Sequence, residues 1–225
     1  MTTPARPTLR LTVLDTGAAI ELSGFQAVVA GYTGRDELAV RHHIDELAAI
    51  GVPEPPQVPM FYDVPAASVT TDPEVSVSGG NTSGEVEPVL VRHEGRWYLG
   101  VGSDHTDRDR ETADVGDAKR ACPKPISGHV VAVRDWDALD WDAVSVGSTV
   151  DGRAYQDGAL AALRRPAGLI ALLGERGLDR GGDLVCFGGT VPLLTGEFVA
   201  GTTWELGMSL PDGRTLSCTY DAKKA

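Results

Sequence analysis

Two short apolar runs, at residues 89–91 and 97–101, constrain the fold of this chain more than any other feature. The segment between them is polar and contains a glycine, which predicts that the two runs are the strands of a β-hairpin. Glu85 and Glu87 lie two residues apart before the first run, so in an extended segment their side chains project from one face. The second strand returns Asp104 towards them. The sequence therefore predicts three carboxylates at one end of a hairpin.

These carboxylates have no accompanying pattern of Cys or His ligands, so a metal site built from them would contain oxygen donors only. Such hard donors suit Mg²⁺, Mn²⁺ or Ca²⁺ better than zinc or copper. Carboxylates at alternate positions of a strand also commonly form a solvated face, because Asp and Glu are ordinarily exposed. The spacing alone is compatible with a divalent-cation site and with an exposed acidic face.

The composition limits the classes of protein to which the chain can belong. With 225 residues, 42% hydrophobic and 23% charged, it is long enough for one globular domain with its own core. The net charge of −12 opposes binding to the phosphates of nucleic acid. The sequence contains neither a membrane-spanning apolar run nor the apolar core of a signal peptide. We therefore expect a cytoplasmic protein that binds neither nucleic acid nor membranes, with Cys122, Cys186 and Cys218 reduced.

Apolar and β-branched segments bounded by turn residues predict that most of the chain forms strands. Outside the hairpin, the predicted strands are residues 9–14, 25–31, 60–62, 128–133, 144–150, 183–187, 202–210 and 214–220. Apolar residues at helical spacing predict a helix that begins at Arg35 and ends before Pro53. Two more helices are predicted at residues 157–165 and 166–176. Residues 70–84 are polar and rich in Gly and Ser, which predicts a loop.

The predicted helix after Arg35 contains a candidate general base. His43 and Glu46 are three residues apart and off the apolar stripe, so they are neighbours on the helix surface. A carboxylate beside an imidazole can orient it and raise its basicity, which prepares it to activate water. His42 and Asp45 form a second pair with the same spacing, and pairs of this kind are often merely exposed. The spacing leaves both pairs, and the exposed alternative, open.

Several motifs, in order along the chain from about Gly31 onwards, resemble those of the fumarylacetoacetate hydrolase superfamily. RHHIDEL resembles its short helix with a His-x-x-Glu pair, and GEVEPVLV resembles its strand with a Glu-x-Glu metal motif. VGSDHTDRD is similar to the following strand, whose Asp completes the cation site. GGDLVCFGGTVP and the final hairpin are similar to its later strands. DHTDRDRE followed by ACPKPIS is similar to an uncharacterised bacterial subgroup of the superfamily.

The resemblance implies an α+β, β-rich fold with a rolled mixed β-sheet core and a few peripheral helices. It implies one domain over residues 1–225, in which residues 1–55 carry the His/Glu pair and residues 56–225 form the core with the metal site. It also implies a homodimer.

The resemblance assigns roles to individual residues. The implied ligands of Mg²⁺ or Mn²⁺, with Ca²⁺ as a substitute, are Glu85, Glu87 and Asp104; the implied catalytic residues are His43, Glu46 and Lys119; the implied substrate contacts are Arg108 and Thr190. Two departures from the family pattern stand out. Asp63 follows Phe61 and Tyr62 where the family commonly has Lys after Phe-Leu, so an acid replaces a cation. Val191 replaces the Pro of the Gly-Thr-Pro turn.

The resemblance implies a divalent-metal-dependent hydrolase that cleaves a carbon–carbon bond in a small β-dicarbonyl or acylpyruvate-like 2-oxo acid. The cation would stabilise the enolate that forms as the bond breaks, while base-activated water attacks the neighbouring carbonyl. A decarboxylase, hydratase or isomerase of a 2-oxo acid would need the same stabilisation. A non-catalytic binding protein on this fold is a further alternative, favoured by the two departures.

Overall fold

The computed structural model describes residues 7–49 and 54–225, and the described chain is dominated by strands. The strands are β1 (Thr8–Val13), β2 (Ala19–Ser23), β3 (Gln26–Gly31), β4 (Met60–Val64), β5 (Val69–Thr70), β6 (Glu74–Val77), β7 (Thr82–Ser83), β8 (Val86–His93), β9 (Arg96–Ser103), β10 (Thr106–Asp107), β11 (Lys124–Pro125), β12 (His129–Val133), β13 (Ser145–Val150), β14 (Arg153–Ala159), β15 (Leu184–Phe187), β16 (Thr203–Ser209) and β17 (Thr215–Lys224). The helices are α1 (Glu37–Ala49), α2 (Arg108–Glu111), α3 (Val115–Arg120) and α4 (Pro166–Glu175). None of the described helices is long and apolar enough to cross a membrane.

The strands form two main sheets. The larger sheet has the order β2-β1-β12-β9-β8-β15-β3-β4, and the smaller one has the order β14-β13-β16-β17-β6. The larger sheet is mixed, because β1 pairs with β12 and β15 pairs with β3 in parallel while its other pairs are antiparallel. The predicted hairpin is the antiparallel pair β8 and β9, at the centre of this sheet.

Each face of the larger sheet has its own core. The outer core combines residues of both sheets and of α4, such as Leu90, Trp204 and Leu173. The inner core comes from the larger sheet and the segments beside it, with Val89 and Phe187 among its members. Because strands from across one sheet share the inner core, the sheet is curled around it. The predicted fold class, a β-rich α+β protein with a rolled mixed sheet, is confirmed.

Strand β8 shows why the central hairpin is apolar over its whole length. Val86 and Leu90 point into the outer core, while Val89 and Val91 point into the inner core. A strand that is buried on both faces has a continuous apolar run instead of an alternating one. The turn that follows is formed by Glu94 and Gly95, both with positive φ, of 48° and 75°. Two successive residues of this kind are typical of the tight turns that join hairpin strands.

Two predicted elements are wrong. Residues 157–165 are not a helix, because β14 extends to Ala159 and a 3₁₀ turn follows at Leu160–Ala162. Leu160 and Leu163 are both buried, so their spacing of three reflects a tight turn under the outer core. Residues 70–84 are not one loop, because they include β6. In β6, Val75 and Val77 are buried and alternate with exposed residues, which is the pattern of an edge strand with one covered face.

Helix α1 begins close to its predicted start. The Asp36 carboxylate accepts hydrogen bonds from the backbone N–H groups of Leu38 and Ala39, at 2.9 and 3.2 Å, and so caps the first turn. Ile44 is buried, whereas Leu38 is 83% exposed. The predicted helix end before Pro53 lies outside the described residues.

Candidate functional site

The hairpin brings the three predicted carboxylates to one end of the larger sheet. Glu87 lies opposite Gly102 in the β8–β9 register, and the backbone N–H of Asp104 donates to the carbonyl of Glu85 at 3.1 Å. Glu87 is an even number of residues from Val89, so it points towards the inner core of the curled sheet. The site therefore lies at the end of the roll, opposite the hairpin turn.

A glycine lets a second chain segment approach these carboxylates. A Cβ atom on Gly102 would lie 2.7 Å from Ile126 Cγ2 and 2.8 Å from the carbonyl oxygen of Pro125. Both distances are shorter than packed atoms allow, so only glycine accommodates this crossing. The crossing segment contains Lys124, whose side chain is fully buried beside the carboxylates.

Asp104 is fully buried and is held by two ammonium groups. Its carboxylate contacts Lys119 Nζ, and its other oxygen lies 3.2 Å from Lys124 Nζ. Burial alone would raise the pKa of Asp104, but the two lysines outweigh it and hold the pKa below its usual range. Lys124 also donates to the carbonyl of Cys122 at 3.3 Å. The lysines therefore keep Asp104 ionised and hold its loop in place.

Glu85 is engaged by Arg108. Arg108 Nη2 lies 3.0 Å from Glu85 Oε2, Nη1 lies 2.8 Å from Glu111 Oε2, and Nε donates to Ser83 Oγ at 2.7 Å. The ring of Phe198 covers the guanidinium at 3.6 Å from its centroid. Burial would lower the pKa of Arg108, but the two glutamates reverse this and raise it. Arg108 is therefore committed to positioning Glu85.

Glu87 differs from the other two carboxylates because it has no ion-pair partner among the described residues. It is 2% exposed, and its Oε2 accepts a hydrogen bond from the backbone N–H of Gly189 at 2.8 Å. Burial, and then the negative charge of Asp104, raise its pKa well above the usual range, and the ammonium of Lys119 only partly offsets them. Gly189 is needed here: its φ is 95°, and a Cβ atom would lie 1.7 Å from Thr33 Oγ1. One buried carboxylate is thus left with only partial compensation from the nearby Lys119.

Thr190 follows this glycine, and its hydroxyl is engaged by the protein. It donates to the carbonyl of Val86 at 2.8 Å and accepts from Gln156 Nε2 at 2.7 Å. Gln156 Oε1 accepts in turn from the Val86 N–H at 2.8 Å and from Ser148 Oγ at 3.0 Å. Gln156 therefore fixes the start of β8. It was not predicted, because strand β14, which contains it, runs into residues for which the sequence predicts a helix.

The predicted general base lies on α1. The side chain of His43 is outside the described part of the structure. Glu46 is 61% exposed, and its carboxylate lies 3.4 Å from His42 Nδ1. Asp45 lies 2.8 Å from Arg41. The structure thus pairs Glu46 with His42 on a largely exposed helix. This exposed pair differs from the predicted metal ligands Glu87 and Asp104, which are buried.

The interpretation of Asp63 as an acid that replaces a cation in the site is wrong. In the β3–β4 register, Tyr62 pairs with Val29, which belongs to the inner core, and Asp63 pairs with Val28, which belongs to the outer core. Successive residues of a strand point to opposite faces, so Tyr62 faces the inner side and Asp63 does not. Asp63 instead contacts Arg180 and accepts from Gln26 at 3.1 Å.

His105, next to Asp104, has a supporting role. Its Nδ1 lies 2.8 Å from the Tyr220 hydroxyl, and its Nε2 lies 2.9 Å from Thr82 Oγ1. Burial, together with the positive charges of Lys124 and Arg108, lowers its pKa to about 3. The imidazole is therefore neutral at physiological pH and braces the loop by hydrogen bonding.

The cysteines show no sign of nucleophilic chemistry. All three are free and buried, and burial raises the pKa of Cys122 to about 11 and those of Cys186 and Cys218 to about 12. A reactive cysteine needs a lowered pKa. Their prediction as reduced thiols agrees with the structure.

Comparison with known proteins assigns the chain to a family. Residues 30–220 match the family described as "Protein of unknown function (DUF2848)". The chain belongs to the DUF2848 family. No curated protein matches the sequence significantly. Most of the DUF2848 chain, including the whole candidate site, lies within the matched residues.

Solved structures share the fold of this DUF2848 protein. A fumarylpyruvate hydrolase from Pseudomonas aeruginosa in complex with Mn²⁺ and pyruvate has a TM-score of 0.67 at 16% identity, over 100% of this chain and 99% of that chain. A 5-carboxymethyl-2-hydroxymuconate delta-isomerase from Mycobacterium smegmatis has a TM-score of 0.56 at 15% identity, over 93% and 86%. A protein from Oleispira antarctica, provisionally described as a fumarylacetoacetate isomerase/hydrolase, has a TM-score of 0.68 at 19% identity, over 95% and 99%. The resemblance to the fumarylacetoacetate hydrolase superfamily is confirmed at the level of the fold.

The donor chemistry of the DUF2848 site fits a hard divalent cation. Glu87 is a buried carboxylate that lacks a positive partner, and it lies beside Asp104 and Glu85, which offer only oxygen donors. Within the described residues, no three Asp, Glu, His or Cys side chains already converge on one point. The reason is that Glu85 turns towards Arg108 and Asp104 towards its two lysines. The assignment of all three as ligands of one ion stays a prediction.

Proposed function

We propose that this protein is a divalent-metal-dependent hydrolase that cleaves a carbon–carbon bond in a small β-dicarbonyl or acylpyruvate-like 2-oxo acid. The observation that carries the proposal is Glu87, a buried carboxylate without an ion-pair partner among the described residues, beside Asp104. Burying a charge without compensation is costly, so such a group needs a reason to be there. A cation supplies that reason. The fold shared with a fumarylpyruvate hydrolase in complex with Mn²⁺ and pyruvate supports the same reaction class.

In this proposal Glu85, Glu87 and Asp104 would hold Mg²⁺ or Mn²⁺, and the ion would supply electrostatic stabilisation of negative charge on the substrate oxygen. The surrounding residues prepare the carboxylates. Arg108 orients Glu85, the N–H of Gly189 orients Glu87, and the lysines keep Asp104 ionised.

Lys119 also has a catalytic role in this proposal, since its ammonium lies at the carboxylates and can donate a hydrogen bond to a substrate oxygen. The pKa of Lys119 supports a donor role: burial would lower it, but Asp104 and the nearby glutamates raise it, so the group stays protonated. Arg108 and Thr190 act through the parts of the site that they position.

His43 with Glu46 is the proposed pair that activates water, and most of the described side chains of the helix that carries it are exposed, with Ile44 buried. His42 is the alternative partner, because it contacts Glu46. In either arrangement the carboxylate would orient the imidazole, which then accepts a proton from water as the water attacks the carbonyl.

A metal-dependent isomerase, decarboxylase or hydratase is the second candidate. Two observations favour it: Glu46 and His42 lie on an exposed surface, and a delta-isomerase shares the fold. An isomerase or a decarboxylase needs the buried carboxylates but no activated water, whereas a hydratase adds water without breaking a carbon–carbon bond.

The metal proposal predicts opposite effects of Glu87→Gln on metal binding and on stability. The wild type should bind Mn²⁺ in calorimetry, and the substitution should weaken binding by at least about 100-fold, because losing a ligand costs more than losing an outer-shell partner. In metal-free protein at neutral pH the same substitution should raise the free energy of unfolding by about 1 kcal/mol or more, since folding must either bury the charge of Glu87 or protonate it, and Gln carries neither cost. Glu94→Gln, at the exposed turn of the same hairpin, is the matched control and should change neither. A wild type that binds no divalent ion would refute the metal proposal.

The reaction proposal predicts the products. Protein loaded with Mn²⁺ or Mg²⁺ should convert acylpyruvates to pyruvate and a second carboxylic acid, with ¹⁸O from labelled water appearing in that acid. His43→Ala should lower the rate by about 10²- to 10⁴-fold with Mn²⁺ affinity unchanged, as expected for loss of a general base. His42→Ala is the matched comparison, and a loss confined to it would move the role to His42. Release of CO₂ from oxaloacetate without acylpyruvate cleavage would favour a decarboxylase, and binding without turnover would favour a binding protein.

A further inference from the structure

Tyr62 lies beside the ammonium group that contacts Asp104. Lys119 Nζ is 5.8 Å from the centre of the Tyr62 ring. Two glycines make room for this ring: a Cβ atom on Gly31 would lie 3.1 Å from Tyr62 Cε2, and one on Gly116 would lie 3.3 Å from Cδ1. Because Gly116 belongs to α3, which also carries Lys119, the close approach of α3 to β4 places the phenol at the edge of the carboxylate site.

Tyr32 stands next to Tyr62 at the end of β3. Its φ is 57°, a left-handed conformation that is rare for large side chains and is often retained at functional sites. Burial, and then the negative charge of Glu111, raise its pKa, while Lys119 lowers it, so the phenol is close to both groups. Both tyrosines are half-buried. Within the described part of the chain, neither hydroxyl has a hydrogen-bond partner, so both remain available to a ligand.

The cations described at this site are already committed to carboxylates. Arg108 is shared by Glu85 and Glu111, and Lys119 and Lys124 both bind Asp104. Arg120, whose Nη1 also lies beside Gly116, is paired with Asp114 at 3.9 Å, and Lys119 donates to the 2-oxo acid group in the proposed function. A second carboxylate on the tyrosine side would therefore lie near Glu111 without a cation of its own. A charge that loses water without gaining an opposite charge binds poorly.

We propose that Tyr32 and Tyr62 form a specificity wall that selects substrates whose end remote from the 2-oxo acid group is uncharged and polar. Phenol hydroxyls both donate and accept hydrogen bonds, so they suit an amide, ester or ketone. This inference rests on the proposed function and deepens it: the substrate class becomes 2-oxo acids with one carboxylate and a neutral, hydrogen-bonding far end.

The test compares two ligands that differ only at the far end. 2-Oxoglutarate and its 5-(N,N-dimethylamide), which has no amide N–H and cannot close to a lactam, have the same carbon chain and end in a carboxylate and an amide, and pyruvate is the probe for the part they share. With Mn²⁺-loaded wild type, calorimetry should show the amide binding about tenfold or more tightly than the diacid, the factor that corresponds to about one unpaired charge contact. Tyr62→Lys should reverse the preference, with the Kd of pyruvate unchanged within about twofold.

Tyr62→Phe is the matched control, because it keeps the ring and adds no charge. It should weaken the amide a few-fold and leave the diacid as weak as before. Tyr32→Lys repeats the test from the neighbouring position if Tyr62→Lys does not fold.

The outcomes separate this inference from the proposed function. A wild type that binds Mn²⁺ but not pyruvate would overturn both. Pyruvate binding combined with a diacid that binds as tightly as the amide would overturn the specificity wall alone. A lysine variant with normal thermal stability and normal pyruvate affinity, but with the wild-type preference for the amide, would also overturn it.

Discussion

The two ends of the β8–β9 hairpin both carry charged residues, but they use them differently. At the turn end, Arg92 forms two contacts of 2.7 Å with Asp179, and His93 Nδ1 lies 2.8 Å from Asp183. These side chains keep 15–20% of their surface exposed. At the site end, Asp104 and Lys124 are completely buried, and Glu87 has no ion-pair partner among the described residues. The same two strands thus end in a set of paired, partly exposed polar contacts and in a buried set that contains a carboxylate without an ion-pair partner among the described residues.

The difference shows which charges are structural. An ion pair that stays partly exposed keeps part of its hydration, so it costs less than a fully buried pair and contributes less. A buried charge loses its hydration, and it is retained only where several partners compensate it or where it has another role. Asp104 has the compensation of two lysines, whereas Glu87 does not. The contrast identifies the site end as the part of the hairpin whose charges the fold alone does not explain.

Neutralising one carboxylate at each end tests this contrast directly, and it has the largest expected effect. Asp104→Asn leaves two buried ammonium groups without their anion, so it should lower the free energy of unfolding of the metal-free protein by about 3–5 kcal/mol. Asp179→Asn removes a partly exposed pair and should lower it by about 1 kcal/mol or less. Chemical denaturation of both variants and the wild type measures the two losses.

A second substitution controls for the lysines. Lys124→Met in the Asp104→Asn background removes one of the unpaired charges and should recover part of the loss. Equal losses for the two single variants, or no recovery in the double variant, would show that burial does not distinguish the two ends.

The position of the carboxylates could be predicted from the sequence, whereas their ion pairs could not: the resemblance assigns Lys119 and Arg108 to catalysis and substrate binding, and the structure places them on Asp104 and Glu85. Alternation along a strand and a short turn together determine the register of a hairpin, so Glu87 and Asp104 follow from local pattern. Lys124 reaches Asp104 only because Gly102 lets another segment cross the strand, and that contact has no local signal. Glu85 pairs with Arg108 for a similar reason, since α2 folds back onto the site.

Tyr62 and Asp63 illustrate a different limit of prediction from the sequence. Sequence similarity compares residue types and does not say which face of a strand each residue takes, although successive residues take opposite faces. The interpretation of Asp63 as the replacement of a cation in the site fails for this reason, and the adjacent Tyr62, which faces the inner side, is missed. Gln156 is missed because the sequence predicts a helix directly after it, at residues where β14 and a 3₁₀ turn stand instead.

His105 gives a further test of the contrast between the two ends of the hairpin. Its effect on the free energy of unfolding appears only at acid pH. In the unfolded chain its pKa is about 6.5, whereas in the folded protein burial and the charges of Lys124 and Arg108 lower it to about 3. Between these two values the unfolded chain binds a proton that the folded protein does not. The free energy of unfolding must therefore fall as the pH is lowered through this window, by up to about 1.4 kcal/mol per pH unit for one proton. Above the unfolded pKa this contribution is constant.

Denaturation from about pH 7 down to about pH 4 should therefore show a steeper loss of stability in the wild type than in His105→Gln, whose side chain does not titrate. The variant is expected to be less stable at neutral pH, because it loses the two hydrogen bonds to Tyr220 and Thr82, so the slope with pH is the quantity to compare and not the absolute value. Other carboxyl groups titrate equally in both proteins and cancel in the difference. A difference that stays constant over the whole range would mean that His105 takes up its proton in the folded state as readily as in the unfolded chain. In that case the site end would be more open to water than its buried charges indicate, and the contrast with the hairpin turn would lose its electrostatic basis.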